Sequence, residues 1–477
     1  MPRQLILNAF LMSNGHHEAS WRLPESDTRA ATDVKHYQRL AQTAEKAHFD
    51  AVFFADSPLL HGDVTQRPYG VIEPTVLLAA IAAVTERIGL VATASTSYNE
   101  PYNLARRFAG LEQISGGRSG WNVVTTAGDA AARNFSLGSQ PSHAGRYARA
   151  EEFLQVTEKL WDSWEDDVHV GDKAGGVWGD PSRVHPVLHQ GEFFQVEGAL
   201  DAPRSPQGRP VIIQAGSSES GRDFAARWAE AIFTAHQTVE SAREFYADLK
   251  RRVADAGRDA DAVKILPGIV PVIGATEEEA RALDEELNRL ILPEHALRHL
   301  AGVLGVDPAR LALDEPLPDD LPEESQIEAN KSRRTLIVEL GRSESLTVRQ
   351  IIGRLGGGRG HQTFAGTAEQ VADRIEHWFT TGAADGFNIM PPVLPSGLDV
   401  FTRDVVPILQ DRGLFRTEYT GTTLREHYGL PRPANLFAAR HTTADDDDAA
   451  SPGGPGAGAV GEQPVLLGGG ATRAARQ

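Results

Sequence analysis

Apolar residues along the chain fall into eight short, nearly unbroken runs: LILNAF at 5–10, AVFFAD at 51–56, IGLVATAST at 88–96, WNVVTT at 121–126, PVIIQAG at 210–216, AIFTAH at 231–236, ILPGIVPVIG at 265–274 and GFNIMPP at 386–392. Runs of this length, without polar alternation, predict strands buried on both faces. Between them the spacing changes to a helical period. Tyr37, Leu40, Ala44 and Ala47 share one helix face, as do Phe153, Val156, Leu160 and Trp161. Further helices are predicted over 74–86, 101–114, 146–164, 218–229, 239–255, 368–380 and 398–411. Strand and helix alternating in this way predict a parallel sheet wrapped in helices, and eight such units predict a closed (β/α)8 TIM barrel rather than an open doubly wound sheet. No G-x-G-x-x-G fingerprint follows the first run, which argues against a dinucleotide-binding domain.

Two stretches break the rhythm. After strand 4, residues of about 165–209 carry Gly, Pro and short β-like pieces, and an inserted excursion with a hairpin is predicted there. After strand 7, residues of about 290–360 are rich in Leu, Glu, Asp and Pro and end in LGGGRGH, which predicts a helical lid or dimerisation element. The barrel is expected to occupy 1–435. In 436–477 the acidic run Asp445 to Asp448 and the segment SPGGPGAGAVGEQ have too little apolar surface for a core, so a disordered tail is expected.

Composition narrows the class. Of the 477 residues 41% are hydrophobic and 23% charged, as in an ordinary globular protein. A formal charge of −18 argues against nucleic acid or an anionic membrane surface as the partner. Cysteine is absent, so disulfides, thiolate metal sites and a cysteine nucleophile are excluded, and any redox chemistry comes from a cofactor. The apolar run in MPRQLILNAF is too short for a signal peptide and no other run reaches membrane-spanning length, so a cytoplasmic location is expected.

In a parallel barrel the chemistry sits where the strands end. Those ends are polar here: SNGHHEASWR follows strand 1, Asp56 ends strand 2, Thr93, Ser95 and Ser97 lie on strand 3, and Asn122, Thr125 and Thr126 on strand 4. Gly216, Ser217 and Ser218 follow strand 5, and His236 ends strand 6. Asp56, ahead of Ser57 and Pro58, is either a turn or cap residue or an acceptor for a ligand N–H. Ser217 and Ser218 open a helix and are either a plain cap or an anion-binding turn. His143, Arg146 and Tyr147 lie at a helix start. His16 and His17 lack partners at metal-site spacing, so hydrogen bonding or proton transfer suits them better than a metal. No G-x-S-x-G elbow supports a serine nucleophile. Asn122 faces the opposite side of its strand from Trp121, which is expected under the helices.

Taken in order, FFADS (53–57), VATASTSY (91–98), SGGRSGWNVVTT (115–126), HAGRYARAEEF (143–153), QAGSSESGRDFAA (214–226) and TFAGTAEQVADRIEHWFTTGAADGFNIMPP (363–392) resemble the bacterial-luciferase-like flavin monooxygenases. The similarity is to the branch with nitrilotriacetate monooxygenase component A, dibenzothiophene sulfone monooxygenase and pristinamycin-pathway monooxygenases, and it covers roughly 1–435. It implies a TIM barrel with insertions. It also implies the oxygenase of a two-component system: a separate NAD(P)H:flavin reductase supplies FMNH2, a C4a-(hydro)peroxide forms with O2, and one oxygen atom enters a small organic substrate. Carried over by position, the resemblance implies FMN contacts from Asp56, Thr93, Ser95, Asn122, His143, Tyr147, Ser217 and Ser218. Asn122 is implied beside the reacting ring and His17 on a substrate-facing loop, both as catalytic residues. Where the family has a GHHxxAWR-like pattern this chain has Ser20 before Trp21. A homodimer or homotetramer is implied, with neither metal, nucleic acid nor membrane. Two alternatives within the superfamily are a deazaflavin-dependent hydride-transfer enzyme and a non-catalytic flavin-binding protein.

Overall fold

All eight apolar runs become strands of one closed barrel: β1 (Ile6–Phe10), β2 (Ala51–Phe54), β3 (Gly89–Ser95), β4 (Ser119–Val124), β5 (Val211–Gln214), β6 (Ala231–Thr234), β7 (Lys264–Ile273) and β8 (Gly386–Ile389). Each pairs in parallel with the next in sequence, and β8 returns to β1, with Asn8 opposite Asn388. The computed structural model describes residues 3–60, 64–65, 72–126, 128–216, 218–322, 331–358 and 360–438. Most of the predicted tail lies outside that set. Among the described residues no helix is long and apolar enough to cross a membrane.

Strands buried on both faces need two apolar layers. Outside, Trp121 is fully buried against Phe108, Phe153 and Trp161 and donates its indole N–H to Ala94 O at 3.0 Å. Inside, Ile6, Ala51, Val91, Val211 and Leu266 meet Leu424, Tyr428 and Leu430 from the C-terminal segment. That segment, with its short helix Leu424–His427, closes the N-terminal end of the barrel. Gly89 makes room for it, since a Cβ there would run into the Leu424 side chain. Polar groups fix the closure: Tyr428 OH donates to Asn8 Oδ1 (3.0 Å), Asn8 Nδ2 to Asn388 Oδ1 (3.1 Å), and Asn388 Nδ2 to Leu266 O (3.0 Å).

His427 makes this closure sensitive to acid. Burial pushes its imidazole down to about 4, outweighing the opposing effect of Arg87 O at 2.8 Å from Nε2. A folded-state value below the unfolded 6.5 gives a contribution that is complete above pH 6.5 and lost as pH falls through about 4. The expected loss is about 3 kcal/mol over that window. Urea unfolding of His427→Gln at several pH values should show a flatter profile than wild type, and parallel profiles would reject the assignment.

The two longest connections follow β4 and β7. After β4 the helix His143–Trp161 leads to two antiparallel hairpins, His169–Asp172 with Val177–Gly179 and His189–Gln190 with Gln195–Val196. After β7 come the helices Glu277–Arg289, Pro293–Leu304, Lys331–Ser343 and Val348–Gly358. The last three share an apolar cluster of their own around Ile291, Leu300, Leu304, Ile337 and Ile351. A ninth parallel strand, Gln362–Gly366, pairs with the outer half of β7, Ile269 to Ile273. The pattern did not predict it because it stands outside the barrel, half-buried, and has no apolar run. The helix predicted over 398–411 is instead Ser396–Val400 and Val406–Asp411, joined by a wider turn at Phe401–Val405. Pro407 has no N–H to give the preceding turn, which accounts for the break in register.

Candidate active site at the barrel mouth

At the C-terminal mouth the inner wall is aromatic. Phe10 of β1 meets Phe53 of β2 at 4.9 Å and Phe233 of β6 at 5.3 Å, both edge to face. The ring of His361 lies flat on Phe233, 4.8 Å away with 2° between planes. Gly268 of β7 creates its seat, because a Cβ there would lie 2.5 Å from His361 Nδ1 and 2.7 Å from Met390 Sδ. The seat is braced from β6 by Gln237, whose Nε2 donates to Gly360 O (2.9 Å) and whose carbonyl accepts from Gln362 Nε2 (2.8 Å). The connection after β7 therefore contributes a side chain to the mouth.

Polar groups occupy the neighbouring strand ends. Asn122 and Thr93 face each other across β4 and β3, and Asn122 Nδ2 donates to Thr93 Oγ1 at 2.8 Å. This bond fixes the amide, and Asn122 Oδ1 is buried with no hydrogen-bond partner among the described residues. Ser95 accepts from Thr126 Oγ1 at 2.7 Å. Asp56 is half-buried; desolvation, then Glu73, pushes its carboxyl up against the opposing Ser57 N–H and Arg107. No helix begins at 57–60, so Asp56 is not a helix cap.

Ser218 is the N-cap of the helix Glu219–Trp228 and accepts from Gly221 N at 3.2 Å. A cap of this kind satisfies one of the four open N–H groups at a helix start. Ser217 lies outside the described residues. His143 and Tyr147 stand one turn apart on their helix with ring centroids at 4.8 Å, and Tyr147 meets Phe224 of the Ser218-capped helix edge to face at 5.7 Å. The helix that carries His143 and Tyr147 thus packs against the helix that Ser218 caps.

His17 is tied to the chain on several sides. Its Nδ1 accepts from Ala19 N (3.1 Å), and its Nε2 lies 3.3 Å from Asn288 Oδ1. It sits against Gly356 and Gly357, the glycines of LGGGRGH, and Glu18 N donates to Gly356 O at 3.0 Å. Its neighbour His16 has Nε2 2.9 Å from Phe10 O. The loop after β1 is in this way clasped by the connection after β7.

Sequence reasoning passed over Gln214 and Thr234, which close β5 and β6. Gln214 Oε1 and Thr234 Oγ1 are buried without partners among the described residues, as is Nε2 of His236. Burial, then Arg222, pushes the His236 imidazole down to about 4. Of these three only His236 was singled out in the sequence, because Gln214 and Thr234 lie inside their apolar runs rather than after them. Buried polar atoms are rarely left unpaired, so the Asn122 amide oxygen beside an aromatic wall fits a flat ring carrying polar substituents, as in FMN.

A closed parallel barrel with such a mouth has the architecture of a barrel enzyme, with its site at the C-terminal face. The chain belongs to the luciferase-like monooxygenase family, whose pattern matches residues 14–385. It is 47% identical over 441 residues to N-acetyl-S-(2-succino)cysteine monooxygenase of Bacillus subtilis (strain 168), spanning 91% of this chain and 99% of that protein. Nitrilotriacetate monooxygenase component A of Aminobacter aminovorans is 46% identical over 449 residues, spanning 91% and 98%. The solved structure of EDTA monooxygenase from Chelativorans sp. BNC1 is 38% identical with a TM-score of 0.75, covering 90% of this chain and 99% of that one. The expected family and barrel are both found, and the protein is a flavin-dependent monooxygenase that uses reduced FMN.

Proposed function

We propose that this chain is an oxygenase component in which Asn122 faces the reacting edge of the flavin and the Gly216–Ser218 turn holds its phosphate. The buried, partnerless Oδ1 of Asn122, fixed by the bond to Thr93, is the observation that carries this reading. When bound, reduced FMN supplies the two electrons with which one oxygen atom enters the substrate and the other leaves as water. Phe10, Phe53, Phe233 and Met390 form an apolar wall that excludes water from the reacting edge. Asp56 accepts from a ring N–H, while Thr93 and Ser95 line the same side. His143 and Tyr147 flank the phosphate arm. His17 shapes the substrate side by holding the loop after β1 against Asn288.

The substrate class follows the relatives' names: a small organic molecule, with the substituted cysteine and the aminopolycarboxylate that two of those names give as first probes. Anaerobic titration with reduced FMN, followed by oxygen uptake with a flavin reductase and N-acetyl-S-(2-succino)cysteine or nitrilotriacetate as probes, tests the reading. Failure of the wild type to bind reduced FMN would sink it. Ser218→Asp places a carboxylate against the phosphate and is expected to weaken reduced-FMN binding about tenfold or more, on the order of 1.4 kcal/mol. An unchanged dissociation constant would reject the phosphate assignment.

A further inference from the structure

We infer that Gln214, Thr234 and His236 form a polar row that takes the ribityl hydroxyls of the flavin's sugar–phosphate arm, an assignment that rests on the flavin reading above. The row is built by strand register. Ile232 of β6 lies opposite Gln214 of β5, and side chains two apart share a face, so Thr234 stands one pleat above Gln214's neighbour on the same side. Ile232 packs with Ala225 of the helix Glu219–Trp228 and Phe245 of the helix Val239–Asp255, which identifies that side as the one beneath the Ser218-capped helix. His236 continues the row against Phe245, with ring centroids at 5.1 Å. At its other end the Gln214 amide lies against Gly216, two residues before the Ser218 cap, where a Cβ would collide with Nε2.

Two of these side chains are almost fully enclosed, Gln214 at 5% and Thr234 at 4% exposure. Their Oε1 and Oγ1, with Nε2 of His236, have no hydrogen-bond partner among the described residues. Such atoms at the ends of adjacent strands call for a ligand. Its chemistry can be read from the donor and acceptor types. Gln214 Oε1 is only an acceptor, so its partner must donate, which a phosphate dianion does not do. Thr234 offers both a donor and an acceptor, and His236 offers either according to its tautomer. A chain of hydroxyl groups, each donating and accepting, matches all three. Asn122 and Thr93, by contrast, stand on the inner face with Phe53 and Phe233 and suit the ring.

The test is anaerobic titration of wild type, Thr234→Val and Gln214→Leu with reduced FMN and with reduced lumiflavin, which has the ring but no ribityl arm. Each variant is expected to bind FMN about tenfold more weakly and lumiflavin within about twofold of wild type, while Thr234→Ser retains the wild-type FMN affinity. Because Thr234 Oγ1 has no partner to lose among the described residues, the thermal midpoint of cofactor-free Thr234→Val should not fall. Unchanged FMN affinity in both variants, or equal loss for both flavins, would overturn the proposal. A wild type that fails to bind reduced FMN would instead overturn the functional reading, so the two failures are distinct.

Discussion

Asn122→Leu is expected to leave the barrel folded and reduce coupled product formation by about a hundredfold or more, with O2 consumed to peroxide instead. Leucine has the same branched heavy-atom skeleton as asparagine and suits a site beside Phe53 and Phe233. The side-chain bond lost, to Thr93 Oγ1, is worth about 1 kcal/mol in stability. What disappears is the fixed amide, whose Oδ1 is poised without a protein partner and is proposed to face the reacting edge. A preorganised dipole of this kind acts where charge changes during reaction, which is why its removal should lower kcat far more than it weakens cofactor binding. Product and peroxide would be quantified in one reductase-coupled assay alongside the thermal midpoint. Coupling near the wild-type ratio would remove Asn122 from the reacting edge.

The largest effect on stability is expected four residues earlier. Arg118, at 2% exposure, donates Nε to Ser115 O (2.8 Å), Nη1 to Ile88 O (2.7 Å) and Thr85 Oγ1 (3.1 Å), and Nη2 to Thr85 O (2.9 Å) and Ala82 O (3.4 Å). Ala82 ends the helix Pro74–Ala82 and Ser115 ends Pro101–Ser115, so the cation sits where two helices present their negative ends. Burial lowers its pKa, yet an arginine stays charged at any pH of interest. Arg118→Met fills a similar volume and strands several buried carbonyls, for an expected loss of about 3 kcal/mol or more. Arg118→Lys is expected to fall between, because an ammonium lacks the planar fork that reaches five acceptors. Urea denaturation would measure both, and a methionine variant of wild-type stability would show that the carbonyls are satisfied otherwise.

The stretch SGGRSGWNVVTT shows how unevenly structure is written in sequence. Its turn was legible because Gly116, at φ 69°, ends the helix in the left-handed conformation that glycine adopts without strain. The burial of Trp121 and the inward amide of Asn122 followed from the two-residue period of a strand. Arg118 was not legible: an arginine in a glycine turn reads as surface, and only the approach of two helix ends makes it a buried clamp. The same holds for Gln214 and Thr234, whose partnerless atoms matter only because β5 and β6 lie side by side beneath a helix. LGGGRGH was noticed as a motif, but its glycines gained meaning only when His17, more than 300 residues away, was found seated against them.

By itself, then, the sequence determined the eight strands, their alternation with helices, the closed barrel and the resemblance to flavin monooxygenases. These depend on local periodicity and on short blocks whose neighbours in space are also neighbours in sequence. Only the tertiary structure decided which ends were closed and by what: the Leu424–Leu430 segment filling the N-terminal end, His361 carried into the mouth by the connection after β7, and the row formed by Gln214, Thr234 and His236. Each of these is a meeting of segments far apart in the chain. Apolar pattern records that a residue is buried, and it holds no record of what the residue is buried against.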